Sequence, residues 1–277
     1  MMAAKKRFDG LVAWITGAGS GIGKALAIEL ARQGATVVVS GRRRANLDDV
    51  VRAIEAVPGK ALPVPCDVTD EGSLASAVKT IERELGRIDV VVANAGFSVA
   101  GPIRSLTAAD WRRQLDTNVI GAALTATHAL EALEKTKGRI VFVGSVSAFT
   151  PAPRVGAYSA SKAALRSLGQ TLDMELHGSG VSVTLIHPGY VESEIAQVDN
   201  AGKHDAARVD KRPKNLMWPA DRAARVMASA IWSRKHEFVF TGHGQVGAFI
   251  GQHLPGVLRF AMTRSGTKKR VTQLTKD

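Results

Sequence analysis

The sequence predicts an α/β domain with a doubly wound parallel sheet of seven strands and helices on both faces. Two observations favour this fold. Short apolar runs alternate along the chain with segments in which apolar residues recur every three or four positions. A glycine-rich turn joins the first apolar run to the first helical segment. Repeated strand–helix units form parallel sheets, because each helix returns the chain across the sheet by a right-handed crossover.

The elements follow from these patterns in chain order. Residues 11–16 are predicted as the first strand, residues 17–23 as the glycine-rich turn and residues 24–33 as the first helix, which ends at Gly34. Further strands are predicted at residues 35–40, 61–66, 88–93, 139–144, 181–186 and 237–241, and further helices at residues 47–57, 72–85, 107–115, 118–135, 158–177 and 219–233.

The turns after four of the strands are expected to meet. In parallel sheets of this type, ligands bind at the carboxyl ends of the strands. The residues found at those ends are Gly17, Asn94, Ser145 and Pro188. We therefore expect these four residues to lie along one edge of the sheet. His187, which directly precedes Pro188, is expected to have a structural role.

Length and composition limit the class of protein. The 277 residues, 45% of them apolar, suffice for one large domain with a buried core. No run of about 18 apolar residues is present that could span a bilayer. Residues 1–9 lack the apolar segment of a secretory signal. The single cysteine, Cys66, excludes an internal disulfide and favours a reducing compartment, so we expect a cytoplasmic protein.

The charge of the chain favours anionic partners. Its 37 basic and 25 acidic residues give a net charge of +12, which suits phosphorylated cofactors, acidic substrates or an anionic membrane surface. The basic clusters are not accompanied by a nucleic-acid-binding motif or by zinc-ligand spacing. Neither nucleic acid nor a metal is therefore expected as a partner.

The first strand, the glycine-rich turn and the first helix predict a Rossmann-type dinucleotide site. This arrangement places a phosphate on the helix N-terminal amides, and the glycines let the backbone approach the pyrophosphate closely. The second strand ends at Gly41-Arg42-Arg43 rather than at the acidic residue that would hold the ribose 2′-hydroxyl of NAD. Arginines there suit a 2′-phosphate and predict NADP(H), the alternative being an arginine-rich helix start.

Tyr158 and Lys162 stand four residues apart at the start of a predicted helix, so their side chains share one face. A phenol has a pKa near ~10, and a cation held close lowers it. The pair therefore predicts a general acid–base near neutral pH. Such pairs also arise by chance on solvated helix faces, so the upstream motifs decide the interpretation.

The chain resembles the short-chain dehydrogenases/reductases over about residues 8–243. The matching motifs are Thr16-Gly17-x-x-x-Gly21-x-Gly23, Asn94-Ala95-Gly96, Asn118, Ser145, Tyr158-x-x-x-Lys162 and Pro188-Gly189. Ser145 precedes Tyr158 by thirteen residues, which is the usual interval in the family. The resemblance implies an NADP(H)-dependent oxidoreductase that transfers a hydride between nicotinamide and a ketone or secondary alcohol.

The resemblance also implies residue roles. Tyr158 is the acid/base, and Lys162 lowers its pKa and holds the nicotinamide ribose. Ser145 binds the substrate oxygen, and Asn118 supports a water that links Lys162 to solvent. The predicted cofactor-binding residues are Gly17, Gly19, Ser20, Gly21, Ile22, Gly23, Gly41, Arg42, Arg43, Asp67, Val68, Asn94, Ala95, Gly96, Tyr158, Lys162, Pro188, Gly189, Val191 and Ser193. The predicted substrate-binding residues are Ser145, Ser147, Tyr158 and Tyr190.

Two segments lie outside the repeating pattern. Residues 192–218 have weak periodicity and many charges, and we predict that they form a mobile lid over the substrate. Residues 244–277 form a C-terminal extension, an amphipathic segment followed by a basic tail. The extension packs on the body or on a neighbouring subunit, lies on a membrane surface, or is a loosely ordered end; the sequence leaves these three interpretations open.

Assembly and alternative functions complete the expectations. The family resemblance implies a homo-oligomer, either a dimer or a tetramer. One alternative to the reductase is a nucleotide-binding regulatory protein without turnover. Another is a membrane-peripheral reductase that acts on lipids.

Overall fold

The computed structural model describes residues 6–205, 207–210 and 212–264. Seven parallel strands form one sheet in the order β3-β2-β1-β4-β5-β6-β7, which confirms the predicted fold class. The strands are β1 Val12–Thr16, β2 Thr36–Ser40, β3 Lys60–Pro63, β4 Val90–Ala93, β5 Arg139–Val143, β6 Ser182–His187 and β7 Glu237–Val239. From β1 the chain first adds strands on one side of the sheet, β2 and β3, and then on the other side, beginning with β4. In sheets of this kind, a crevice that binds ligands lies between the two strands at which the direction changes, here β1 and β4.

Helices cover both faces of the sheet. They are α1 Gly21–Arg32, α2 Arg44–Glu55, α3 Glu71–Leu85, α4 Ala108–Leu115, α5 Gly121–Thr136, α6 Gly156–Glu175, α7 Ala220–Trp232, α8 Gly242–His253 and α9 Pro255–Arg264. One apolar core lies between the sheet and α1, α2 and α7, and a second lies between the sheet and α3, α5 and α6. The central strands β1 and β4 are apolar apart from Thr16, because both of their faces are buried.

Most predicted elements differ from the structure by a few residues at their ends; α1, for example, begins at Gly21 rather than at residue 24. The third strand ends at Pro63 rather than at Cys66, although the N–H groups of Val64 and Cys66 still donate to the carbonyl oxygens of Val39 and Gly41, at 3.0 and 3.2 Å. Pro63 and Pro65 alternate with these donors on an edge strand, where a missing N–H costs no sheet bond. The helix predicted from Asn118 begins with a wide π-helical turn, Asp116–Ile120, that joins α4 to α5. The helix predicted from Tyr158 begins two residues earlier, at Gly156.

The predicted lid is irregular, and backbone contacts hold it to the body. Val191 pairs with Trp218 in an isolated bridge, so the two ends of the segment lie side by side. Two short 3₁₀ turns, Glu194–Gln197 and Lys214–Leu216, lie between them.

None of the helices in the described part of the chain combines the length and the apolar character needed to cross a bilayer.

An ionic network, buried only at His187, ties α6 to the last two strands. His187, at the end of β6, is fully buried, and its Nε2 lies 2.9 Å from a carboxylate oxygen of Glu237 at the start of β7. Arg166 of α6 donates to both oxygens of the same carboxylate, at 2.6 and 2.9 Å. The other ring nitrogen of His187, Nδ1, lies 3.3 Å from the Ser145 carbonyl oxygen. The network therefore holds helix α6, the sheet edge and the chain at Ser145 together.

The charge of Glu237 should stabilise the folded chain in a pH-dependent way. Burial alone would raise the pKa of this carboxyl, but the hydrogen bonds from His187 and Arg166 outweigh burial and lower it to about 2. A lowered carboxyl pKa contributes stability that is complete above the unfolded-state value of about 4.3 and is lost as the pH falls toward the folded-state value.

We expect Glu237→Gln to lower the free energy of unfolding by about 1–3 kcal/mol at neutral pH, because it removes charge-assisted hydrogen bonds. The difference from wild type should narrow as the pH falls from about 5 to about 2. Urea unfolding at several pH values measures both effects. Asp221→Asn is the control, since it removes only an exposed ion pair with Arg225, and such pairs contribute little to stability. A pH-independent difference for the Glu237 variant would contradict the prediction.

Candidate active site

A cleft of about 750 Å³ lies at the carboxyl ends of the strands. Gly17, Asn94, Ser145 and Pro188, which follow β1, β4, β5 and β6, all line it. The cleft runs from the glycine-rich turn, past the start of α6, to the predicted lid. All the predicted cofactor-binding residues line this cleft, whereas Asn118, Ser147 and Tyr190 do not.

The glycine-rich turn is packed so closely that only glycine fits at two of its positions. Gly17 has a φ of +65°, and a Cβ there would lie 2.7 Å from the Ala95 Cα. A Cβ at Gly23 would overlap the side-chain amide of Asn94. That amide donates to the carbonyl oxygens of Thr16 (2.9 Å) and Gly17 (3.1 Å), which fixes the turn to the end of β4. The turn is therefore rigid and lies against the backbone that follows β4.

The N-terminus of α1 points its first amides at the cleft. The residue before the helix, Ser20, makes no side-chain capping bond. The first-turn N–H groups of a helix lack partners within the helix and carry its positive dipole end. This end of the cleft can therefore bind the phosphates of a dinucleotide.

The two arginines after β2 have different surroundings. Arg42 and Arg43 both line the cleft. Arg43 lies 3.5 Å from a carboxylate oxygen of Glu194, which belongs to the predicted lid. Arg42 makes no ion pair with any other residue that the structure describes. A Cβ at Gly41 would touch only Leu47, at 3.6 Å, so space remains beside these guanidinium groups for an anionic group.

Lys162 is buried where α6 meets β5. Only 5% of this residue is exposed, and its Nζ donates to the carbonyl oxygen of Val143 at 2.8 Å. Burial disfavours the ammonium and lowers the pKa of Lys162 to about 8. Val143 is the last residue of β5 and precedes Ser145 by two residues. This bond therefore holds the start of α6 close to Ser145.

Tyr158 and Ser145 both line the cleft, next to Lys162. Burial raises the pKa of the Tyr158 phenol, and the nearby Ser145 hydroxyl and the positive charge of Arg212 oppose this effect only in part. The expected lowering of the Tyr158 pKa by Lys162 is therefore wrong for this structure. The Lys162 ammonium lies 5.8 Å from the centre of the phenol ring and is bonded to the backbone instead.

Asn118 lies beneath the cleft. The π-helical turn that contains it directs its side chain inward, where Oδ1 accepts from Phe97 N (3.1 Å) and Nδ2 donates to Phe97 O (3.0 Å) and Ser161 Oγ (3.1 Å). A Cβ at Gly96 would lie 3.0 Å from Asn118 Oδ1 and 3.7 Å from Lys162 Nζ, so the two side chains are neighbours. Turns of this kind are frequent at functional sites.

Ser147 and Tyr190, two of the predicted substrate-binding residues, lie outside the cleft lining. The backbone N–H of Ser147 donates to Ser145 Oγ at 3.1 Å, so Ser147 fixes the neighbouring hydroxyl instead. The Tyr190 ring is 38% exposed and stacks on His243, with 5.4 Å between ring centres. This stacking contact with the start of α8 holds the Tyr190 ring outside the cleft.

Arg212 is a cleft residue that sequence reasoning missed. It lines the cleft from within the predicted lid and donates to the carboxylate of Asp210 (2.7 Å), to Val191 O (3.1 Å) and to Ser193 O (3.0 Å). These bonds hold the lid to the loop after Pro188-Gly189. No sequence signal marks Arg212, because it stands among several charged residues in a segment without periodicity.

Comparison with known proteins agrees with this geometry. The family model for short chain dehydrogenase matches residues 11–204. An uncharacterized oxidoreductase of Myxococcus xanthus strain DK1622 is 38% identical over 189 residues, which cover 68% of this chain and 75% of the relative. An uncharacterized oxidoreductase of Staphylococcus aureus strain USA300 is 36% identical over 190 residues, or 68% of this chain and 81% of the relative.

A solved structure is also similar. A short chain dehydrogenase/reductase from Burkholderia phymatum in complex with NAD has a TM-score of 0.80 and 25% identity, and covers 88% of this chain and 93% of its own. With the glycine-rich turn, the Tyr158–Lys162 pair and the parallel sheet in place, these matches show that the chain belongs to the short-chain dehydrogenase/reductase family of oxidoreductases.

Proposed function

We propose that this chain is an NADP(H)-dependent oxidoreductase that interconverts a ketone and a secondary alcohol, with Tyr158 as the general acid/base. The observation that carries the proposal is that Tyr158 and Ser145 line the same cleft as the glycine-rich turn and lie next to the buried Lys162. A dinucleotide bound at the turn would extend along this cleft toward the pair.

The residues present fit a dinucleotide. The close packing at Gly17 and Gly23 and the uncapped start of α1 suit a pyrophosphate. Asp67, Val68, Val191 and Ser193 also line the cleft, and we assign the first two to the adenine and the last two to the nicotinamide carboxamide. When bound, the nicotinamide supplies or accepts the hydride.

The chain itself supplies the proton and the stabilisation of charge. Carbonyl reduction builds negative charge on the substrate oxygen, and two hydroxyl donors aimed at that oxygen stabilise it. Because burial raises the pKa of Tyr158, the phenol holds its proton at neutral pH and can give it to that oxygen. The Ser145 hydroxyl donates a hydrogen bond to the same atom. In alcohol oxidation, the phenolate accepts the proton.

The preference for NADP(H) is supported by Arg42. Its guanidinium lines the cleft at the end of β2 without an ion-pair partner in the described part of the chain. A 2′-phosphate would give it a charge-assisted, bidentate partner. Arg43 would bind the same phosphate once its weak contact with Glu194 is broken. The Burkholderia relative was solved with NAD, so this preference belongs to the proposal rather than to the family.

Replacement of Tyr158 by phenylalanine tests the acid/base. Tyr158→Phe removes the transferred proton but keeps the ring, so we expect turnover of NADPH with a carbonyl panel to fall by about 10²–10⁴. The NADPH dissociation constant, measured by fluorescence titration, should stay within about threefold of wild type, because a change confined to the chemical step leaves binding intact. Tyr190→Phe is the matched control, because the other tyrosine lies outside the cleft. Unchanged turnover in the Tyr158 variant would rule out the assigned acid.

Replacement of the two arginines tests the cofactor preference. The double variant Arg42→Ala/Arg43→Ala should weaken NADPH binding about tenfold or more and leave NADH binding within about twofold, since only NADPH carries the 2′-phosphate. Titration with both cofactors measures the ratio. Arg44→Ala serves as the control, because Arg44 pairs with Asp48 and does not line the cleft. An equal loss for both cofactors would refute the phosphate contact.

A further inference from the structure

Helices α8 and α9, together with Leu254 between them, expose five large apolar side chains. These residues form what we call the C-terminal apolar surface: Val246, Phe249, Leu254, Val257 and Phe260, each between 46% and 60% exposed. Single exposed apolar residues are ordinary on a soluble protein, but a group of this size on two adjoining helices indicates an interaction site.

The orientation of α8 explains why its large side chains face outward. The helix packs on the loop after Ser145 through Gly244, Gly247 and Gly251. A Cβ at Gly251 would overlap the carbonyl oxygen of Phe149, and one at Gly244 would lie 3.0 Å from Val146. A helix that stabilises the core normally buries its large apolar residues. Here the inward face consists of glycines and Ala248, so the large apolar residues do not serve the core of this chain.

The net charge of the C-terminal sequence indicates which kind of partner this surface binds. From Phe238 to Lys276 the sequence contains neither aspartate nor glutamate. The basic residues of that stretch are Arg259, Arg264, Lys268, Lys269, Arg270 and Lys276. With Asp277 as the one acidic residue after Glu237, residues 238–277 carry five of the twelve net positive charges of the chain. A second copy would bring two positively charged C-terminal segments together, which is unfavourable, whereas an anionic surface complements them.

The basic and apolar groups are also placed together on α9. Arg259 is exposed, and the guanidinium of Arg264 lies 4.2 Å from the centre of the Phe260 ring. At a bilayer surface, apolar rings enter the boundary between headgroups and acyl chains while arginines contact the lipid phosphates. Helices of 12 and 10 residues suit a position in the plane of that boundary.

We propose that α8 and α9 form a docking surface for anionic phospholipid bilayers, which this chain binds peripherally. The proposal is independent of the proposed reaction, because binding to a bilayer requires neither cofactor nor turnover. The docked face lies directly behind the loop that carries Ser145, since α8 packs on that loop.

Vesicle sedimentation with the full-length chain tests the proposal. We expect the chain to pellet with phosphatidylcholine vesicles that contain phosphatidylserine, and much less with pure phosphatidylcholine or at high salt, because screening weakens the charge contact. Phe249→Ser/Phe260→Ser should lower the partition coefficient about tenfold or more through lost apolar burial. Arg259→Glu/Arg264→Glu should lower it about tenfold or more on the anionic vesicles alone.

Met174→Ser is the matched control, since Met174 is an apolar residue on α6 that is 70% exposed, and this variant should bind as wild type does. Three results would overturn the proposal. The wild-type chain fails to pellet with anionic vesicles, or the phenylalanine variant pellets as well as wild type. Alternatively, sedimentation velocity without lipid shows that the wild-type chain is an oligomer and the phenylalanine variant a monomer. In that case a second copy covers this surface.

Discussion

The hydrogen bond from the buried Lys162 ammonium to the Val143 carbonyl oxygen determines where the candidate chemistry lies. An ammonium is costly to bury unless a polar partner receives it. The last carbonyl of β5 is that partner, so the start of α6 must lie against the carboxyl end of this strand. Tyr158 lies one helical turn before Lys162, and Ser145 follows Val143 by two residues. The two hydroxyl groups are therefore brought together by a contact that involves neither of them.

Two further layers support this contact. On one side, Asn118 lies beneath Gly96 next to Lys162, and its amide is occupied by the backbone of Phe97 and by Ser161. On the other side, the ionic network of His187, Glu237 and Arg166 holds the backbone of Ser145 and the middle of α6 against the sheet edge. Groups held by such surrounding bonds lose little freedom when a substrate arrives, which favours catalysis by fixed donors.

The sequence predicted the features that depend on local patterns. Buried strands, amphipathic helices and the glycine turn follow from short-range chemistry, and parallel topology then brings Gly17, Asn94, Ser145 and Pro188 to one edge. The ionic network escaped prediction because Arg166 and Glu237 are 71 residues apart and neither carries a motif.

The electrostatics of the cleft were also beyond sequence reasoning. The spacing of Tyr158 and Lys162 predicted a lowered phenol pKa, but the sign depends on burial and on the partner of the ammonium, and both are properties of the folded chain. Arg212 and the outward turn of Tyr190 depend likewise on long-range contacts, with the loop after Pro188-Gly189 and with α8.

A structure of the chain with bound NADPH would test the central claim most directly. We expect the nicotinamide ring to lie within van der Waals reach, about 4 Å, of the space that the Tyr158 and Ser145 hydroxyl groups share, with Lys162 beside its ribose. A nicotinamide bound elsewhere, or a Tyr158 phenol directed away from the cleft in that complex, would contradict the assignment of Tyr158 as the proton donor.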